Sequence, residues 1–358
     1  MPQTENRKLE HIKIALKESI ESRTKTGFED ITLVHRALPE IDKDEINLET
    51  ELLGQKFNAP ILIAAMTGGH KKTGKINKNL AIAAEKLGIP MGVGSQRAAI
   101  EDKSLEDTYS IARENAPSAF LIGNLGAVQF NKGYTIKEAE KAVEMIKADA
   151  LAIHLNPTQE ALQPEGDYDF KGCLSQIKKL SDLGVPLIAK ETGAGIAREE
   201  AKSLEKAGVS ALDVGGLGGT SFAAVEYYRL KENKNIGKRF WDWGIPTAVS
   251  TVEAVESTSL PIISTGGIRN GVEIAKALAL GATTCGIALP LLEKAIKGPE
   301  KVIDHLTEII EEIKIAMFLA GAKEIADLRR SDLVITGKTK EWLESRNIDC
   351  KKYANRKQ

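Results

Sequence analysis

Eight short apolar runs constrain this chain more than any other feature, and they recur about every 25 to 35 residues, the length of one strand–helix unit. The runs are residues 60–66, 90–95, 119–124, 150–156, 186–191, 211–216, 261–267 and 283–289. They lack polar alternation, which suits strands buried on both faces of a parallel sheet. Between them lie segments rich in Ala, Glu, Lys and Leu with helical spacing, as at 75–87, 136–146, 199–207 and 271–279. Strands alternating with helices predict an α/β fold. A doubly wound open sheet is the alternative, but a count of eight favours a (β/α)8 TIM barrel with an N-terminal helical extension.

Residues 1–58 precede the barrel, and their part from Lys8 to Ser22 reads as an amphipathic helix. Residues 59–320 form the barrel and 321–358 a charged tail, expected to fray. A long insert at 223–246 concentrates aromatic and basic residues, Tyr227, Tyr228, Arg229, Phe240, Trp241 and Trp243 among them. It reads either as a packed surface loop or as a lid over the barrel mouth.

Composition narrows the function classes. With 358 residues and 42% hydrophobic content the chain can bury a full core. A formal net charge of -1 argues against nucleic acid as the main partner. No apolar run is long enough to span a membrane, and the N-terminus lacks the apolar core of a signal peptide. Cys173, Cys285 and Cys350 are scattered, with no CxxC, so neither a disulfide framework nor a zinc site is indicated. A reducing, cytoplasmic setting follows as the expectation.

In such barrels the active site lies at the C-terminal ends of the strands. Those ends read Ala65-Met66-Thr67-Gly68-Gly69, Ser95-Gln96-Arg97, Asn124, then His154-Leu155-Asn156-Pro157-Thr158-Gln159-Glu160. The next are Lys190-Glu191-Thr192, the stretch from Gly215 to Ser221, Thr265-Gly266-Gly267-Ile268-Arg269, and Ala288-Leu289. A purely structural barrel needs glycine at some turns, but not His, Asn, Gln, Lys and Arg together. Gly266 and Gly267 let backbone N–H groups approach an anion, the helix opening near Asn270 points its positive end there, and Arg269 adds charge. A tight turn that binds nothing is the plain alternative. Thr220 and Ser221 in the second glycine cluster favour an extended phosphoryl ligand.

Lys190 stands in an otherwise apolar run, where a lysine is rarely buried without a partner. It could form a Schiff base, place charge beside an anionic cofactor ring, or make a structural ion pair. Glu191 points the other way along the strand and is not the obvious partner. Glu160 alone reads as a solvated first-turn carboxylate, but beside Asn156 and Gln159 a Mg²⁺ ligand becomes competitive. His154 is either a satisfied core histidine or a functional one. The basic group Arg7-Lys8-Leu9-Glu10-His11 alone reads as a solvated helix face. His35, His70 and His305 carry no spacing signal.

Taken together, these motifs resemble the type 2 isopentenyl-diphosphate isomerase family. The resemblance runs from Arg7 to about Leu289 through Arg7-Lys8-x-x-His11, Met66-Thr67-Gly68-Gly69, Ser95-Gln96-Arg97, His154-x-Asn156-x-x-Gln159-Glu160, Lys190-Glu191 and the two glycine clusters. It implies FMN, Mg²⁺ and NADPH as reductant, with isopentenyl diphosphate and dimethylallyl diphosphate interconverted. It casts Ala65, Met66, Thr67, Gly68, Ser95, Asn124, Lys190, Thr220, Gly267, Ile268, Arg269, Ala288 and Leu289 as lining the FMN site. Arg7, Lys8, His11, Ser95, Gln96, Arg97 and Gln159 would hold substrate, and Glu160 the metal. His154, Asn156 and Gln159 would support the reduced flavin. A homotetramer or homooctamer is implied, with the N-terminal segment reaching a shared site.

An FMN-dependent α-hydroxy-acid oxidase is the nearest enzyme rival by resemblance. Those enzymes carry a His base followed by Gly-Gly-Arg after strand six, where this chain reads Asp213-Val214-Gly215-Gly216-Leu217. A non-catalytic barrel that binds a phosphorylated metabolite is the rival from another class. It would not need His154, Gln159 and Lys190 together.

Overall fold

The computed structural model describes residues 3–230 and 234–356, with side chains from Lys8 onward at the N-terminus. Eight parallel strands close a barrel in sequence order. They are β1 (Ile61–Ile63), β2 (Met91–Gly92), β3 (Leu121–Gly126), β4 (Ala150–Leu155), β5 (Leu187–Glu191), β6 (Ala211–Asp213), β7 (Ile262–Thr265) and β8 (Thr284–Ile287). Seven fall inside one of the eight apolar runs, and β3 overlaps its run and continues two residues past it to Gly126, because a strand covered on both faces needs apolar residues on both. Leu62, Ile122, Ala152, Ile188, Ala211 and Ile263 fill the lumen together. The lower end of that cluster is completed by Leu52 and Phe57, from a hairpin of Thr50–Leu52 and Gln55–Phe57. Phe57 meets Phe120 edge-on at 5.6 Å.

Helices at Lys71–Leu87, Ile136–Ile146, Arg198–Lys206 and Gly271–Ala279 match the expected helical segments closely. The start of Ile136–Ile146 is set locally. Thr135 and Glu138 form a capping box that satisfies N–H groups the helix cannot pair internally.

Register decides what stands at the barrel mouth. Gly126 pairs with His154, His154 with Lys190, and Lys190 with Asp213 across β3, β4, β5 and β6. One level of the barrel therefore carries a histidine, a lysine and an aspartate side by side.

The described parts of the insert, 223–230 and 234–246, form a packed roof. Helices Phe222–Arg229 and Lys234–Arg239 are followed by Trp241, which is buried with Ile20, Ala224 and Val225. Its ring lies 5.6 Å from Tyr227 and 6.1 Å from Tyr228, and its Nε1–H donates to the Glu21 carbonyl. Trp243 is 63% exposed. The N-terminal helix Gln3–Lys17 packs on the roof helix, so the extension and insert form one cover.

The expectation of a frayed C-terminal tail is corrected. Leu333–Ile335 pairs antiparallel with Ile31–Leu33, and Leu343, Ile348 and Tyr353 are buried. Leu333 and Ile335 face inward while Val334 faces out, so the short strand buries one apolar side. Its partner lies 300 residues upstream, which is why charge composition alone misled. Cys173, Cys285 and Cys350 are three separate buried thiols. Among the described residues no helix is long and apolar enough to cross a membrane.

Candidate active site

A deep cleft opens where the strands end, beneath the roof. Its wall includes Ala65, Met66 and Thr67 after β1, Ser95 and Arg97 after β2, and Asn124 on β3. The wall continues through His154 on β4, Asn156, Gln159 and Glu160 after it, Lys190 on β5, and Thr220 after β6. Gly267, Ile268 and Arg269 follow β7, and Ala288 and Leu289 follow β8. Lys8 and His11 reach the cleft from the N-terminal helix of the same chain. The side chain of Arg7 lies outside the described residues.

Two expected contacts lie elsewhere. Gly68 is not in the cleft wall: its φ is +146°, and a Cβ there would sit 2.1 Å from the Tyr109 ring. It is a packing glycine, shaped by a fully buried aromatic. Gln96 is fully buried beneath the mouth. It donates to the Ala142 carbonyl at 2.8 Å and accepts from the Asn124 N–H at 2.8 Å, so it ties β3 to the helix outside and faces away from the cleft.

The glycine-rich side is built from backbone. A Cβ on Gly266 would meet the Gly216 carbonyl at 2.2 Å, and one on Gly267 the Gly218 carbonyl at 2.4 Å. The loops after β6 and β7 thus touch main chain to main chain, which no other residue type permits. Next to them helix Leu289–Lys297 begins without a side-chain cap. It begins where this fold commonly holds phosphate, although Pro290 has no N–H and the Leu291 N–H donates to the Ala288 carbonyl at 2.9 Å. Arg269 is turned partly aside: its guanidinium meets Glu21 and donates to the Ile268 carbonyl.

The β2 side of the mouth carries Lys8 and Arg97. The Lys8 ammonium donates to the Ser95 carbonyl and to the Tyr109 hydroxyl. Burial pushes the Tyr109 hydroxyl well above its ordinary range, so it stays protonated and donates to Ser95 in turn. Arg97 is held by Glu101 at 2.7 Å and Asp167 at 3.2 Å. Asp167 also meets Lys132.

Between these sides lies the His154-to-Glu160 stretch. Glu160 is buried, which overturns the solvated reading. One oxygen accepts from Asn156 at 2.9 Å, and the other from Gln163 and from the Asp167 N–H. Asn156 also donates to Gln159 at 3.0 Å, so a single amide orients both neighbours. His154 Nδ1 and Asn124 Oδ1 are 2.8 Å apart. At the end of β5, the Glu191 carboxylate accepts from the N–H groups of Thr192, Gly193 and Gly195, pinning the loop that follows. Burial pushes its carboxyl up to about 7 against those donors.

Several residues here carried no readable signal. Glu226 on the roof helix is wholly buried, 2.6 Å from Arg229 and 3.2 Å from His11 Nε2, which lies off the line of a hydrogen bond. It also accepts from Gln159 at 3.5 Å. Burial raises its carboxyl, but His11 and Arg229 outweigh that and hold it below the ordinary range. Arg229 also reaches Glu10 and Glu165, joining the N-terminal helix, roof and β4 loop. Gln129 is buried in the wall, and its Oε1 has no hydrogen-bond partner.

Gln129, Asn156 and Thr265 line the cleft, and each has a buried side-chain oxygen without a hydrogen-bond partner. Leaving such groups dry costs about 1–3 kcal/mol each, so the wall is shaped to be completed by something polar. With the glycine cradle of the β6 and β7 loops, this fits a phosphorylated planar cofactor such as FMN. For a metal the wall supplies one carboxylate, Glu160. Among the described residues no group of three or more His, Cys, Asp or Glu could hold an ion. Mg²⁺ therefore fits if a bound diphosphate supplies most of its oxygens.

The fold and cleft define an FMN-dependent barrel enzyme: residues 6–142 and 156–335 match the FMN-dependent dehydrogenase family. The chain is 54% identical to the isopentenyl-diphosphate delta-isomerase of Methanothermobacter thermautotrophicus, over 98% of this chain and 99% of that one. It is 55% identical to the enzyme of that name from Thermococcus kodakarensis, over 97% and 95%. It belongs to the FMN-dependent, type 2 isopentenyl-diphosphate delta-isomerase family. A flavocytochrome b2 variant with sulfite bound matches at TM-score 0.66 and 18% identity, covering 95% of this chain and 85% of that one. A mandelate oxidase variant matches at 0.65 and 19%, covering 93% and 99%. At these identities the two structures share the fold alone.

Proposed function

We propose that this chain interconverts isopentenyl diphosphate and dimethylallyl diphosphate with reduced FMN as acid/base cofactor and Mg²⁺ on the substrate diphosphate. The observation that carries this reading is the division of the cleft: a glycine-lined cradle on the β6 and β7 loops lies on a different part of the wall from the Lys8 and Arg97 cations at β2. One anionic group suits each side, with the reacting carbons between them.

Bound and reduced, FMN supplies a proton donor and an electron-rich ring beside the alkene. The protein's own groups do the rest. Lys8 and Arg97 hold the diphosphate remote from the reacting carbons, so that binding energy orients the alkene. Tyr109 and Ser95 fix Lys8, while Glu101 and Asp167 fix Arg97. Glu160 would hold the metal. Lys190 places its charge against the cofactor ring. Asn156 sets Gln159 near the reacting carbons, with His154 and Asn124 beside it. The roof, anchored by Trp241, excludes water. Met66, Thr67, Thr220, Ile268, Ala288 and Leu289 would flank FMN, and His11 would touch substrate. NADPH is the reductant, a homotetramer or homooctamer the assembly, and the cytoplasm the setting that this reading carries with it.

The test starts with the purified protein, which should bind FMN and turn yellow. A protein that stays colourless with added FMN would sink the reading.

A further inference from the structure

We infer that Asp213 is a positioning residue for Lys190, fixing where the lysine ammonium stands against the flavin; this rests on the FMN reading above. Lys190 Nζ lies 3.0 Å from Asp213 Oδ2 and donates to the Glu191 carbonyl at 3.1 Å. An ammonium has three N–H donors. Two are thus committed to β5 and β6, and the third is left for the cleft that Lys190 lines. The two residues are direct partners in the β5–β6 register, so the backbone sets their approach.

Burial makes the arrangement informative. The Lys190 and Asp213 side chains are 11% and 3% exposed. Asp213 Oδ1 has no hydrogen-bond partner. Strands β5 and β6 already pair through their backbones, and an apolar pair of similar volume would join them at least as well as two desolvated charges. The pair is accounted for when the ammonium itself is needed in one place. Asp213 does not line the cleft, so it acts through Lys190.

The sign of the effect separates positioning from two simpler roles. Seen directly from an anionic flavin, the Asp213 charge is repulsive, so removing it alone should tighten binding and raise the reduction potential. Seen through Lys190, removing it loosens the ammonium and does the reverse. A merely structural role would weaken binding equally with or without the lysine.

The experiment is a double-mutant cycle of Asp213→Asn and Lys190→Met in the full-length protein. FMN affinity is followed by fluorescence quenching, and the FMN midpoint potential by anaerobic dye titration. Asn keeps an acceptor but loses the charge. Asp213→Asn should therefore weaken FMN about fivefold and lower the potential in the wild-type background. In the Lys190→Met background it should weaken nothing. Asp213→Leu with Lys190→Met removes both charges and should also bind FMN no more weakly than Lys190→Met alone. Equal weakening in both backgrounds, or tighter binding in both, would overturn the inference while leaving the cofactor reading intact. Failure of the wild-type protein to bind FMN would overturn both.

Discussion

Glu226→Gln probes the joint between the roof, the N-terminal helix and the β4 loop. The carboxylate is wholly buried and Arg229 only 9% exposed, so the pair is desolvated. Removing one partner of such a pair costs about 3–5 kcal/mol. Glutamine keeps the volume and one acceptor, and Arg229 keeps Glu165 and Glu10. The expected loss at pH 7 is therefore smaller, about 2–3 kcal/mol, or a fall of about 3–4 °C in Tm for a chain of 358 residues. The pH dependence follows from sign. The folded carboxyl is held below its ordinary range, so near pH 4 the folded state binds fewer protons than the unfolded chain. Its contribution is full above about pH 4.3 and is lost as pH falls through the folded value. The gap between wild type and variant should accordingly shrink below about pH 4, measured by urea unfolding across pH 3–7. A gap under about 0.5 kcal/mol at pH 7, or one that does not change with acid, would refute the reasoning.

Three further outcomes follow from the geometry. Glu160→Gln should weaken the Mg²⁺ dependence of turnover while FMN titration stays near wild type; loss of FMN instead would place the carboxylate in the wrong role. Gly267→Ala forces a side chain into φ +73° with a Cβ 2.4 Å from the Gly218 carbonyl, so FMN affinity should fall more than tenfold by fluorescence titration. Removing residues 332–358 strips the partner strand from Ile31–Leu33 and uncovers Phe28 and Ile31, which should give insoluble or protease-sensitive protein in limited proteolysis.

The barrel was legible because strands covered on both faces must be apolar throughout, and eight such runs leave few alternatives. The mouth was legible because polar groups at the ends of those runs have no structural need to cluster. Lys190 stood out as a lone charge in an apolar run, and Asp213 carries the same signal one strand later. What hid it was register, which only the closed barrel supplies. Glu226 looked like any helix glutamate, since its burial depends on the N-terminal helix lying across it. Gln96 and Gly68 sit next to residues of the cleft in sequence, yet point into packing. The strand Leu333–Ile335 was invisible because a three-residue strand means little until its distant partner is known.

The central claim is that the reduced cofactor and this cleft move a double bond without net oxidation. The most direct measurement is anaerobic turnover of isopentenyl diphosphate in D2O with FMN, Mg²⁺ and reductant, followed by NMR. The account predicts dimethylallyl diphosphate carrying solvent deuterium, formed only while the flavin is reduced and with no stoichiometric loss of reductant. Product formed with fully oxidised flavin and no reductant, or none formed by FMN-loaded reduced protein, would contradict it.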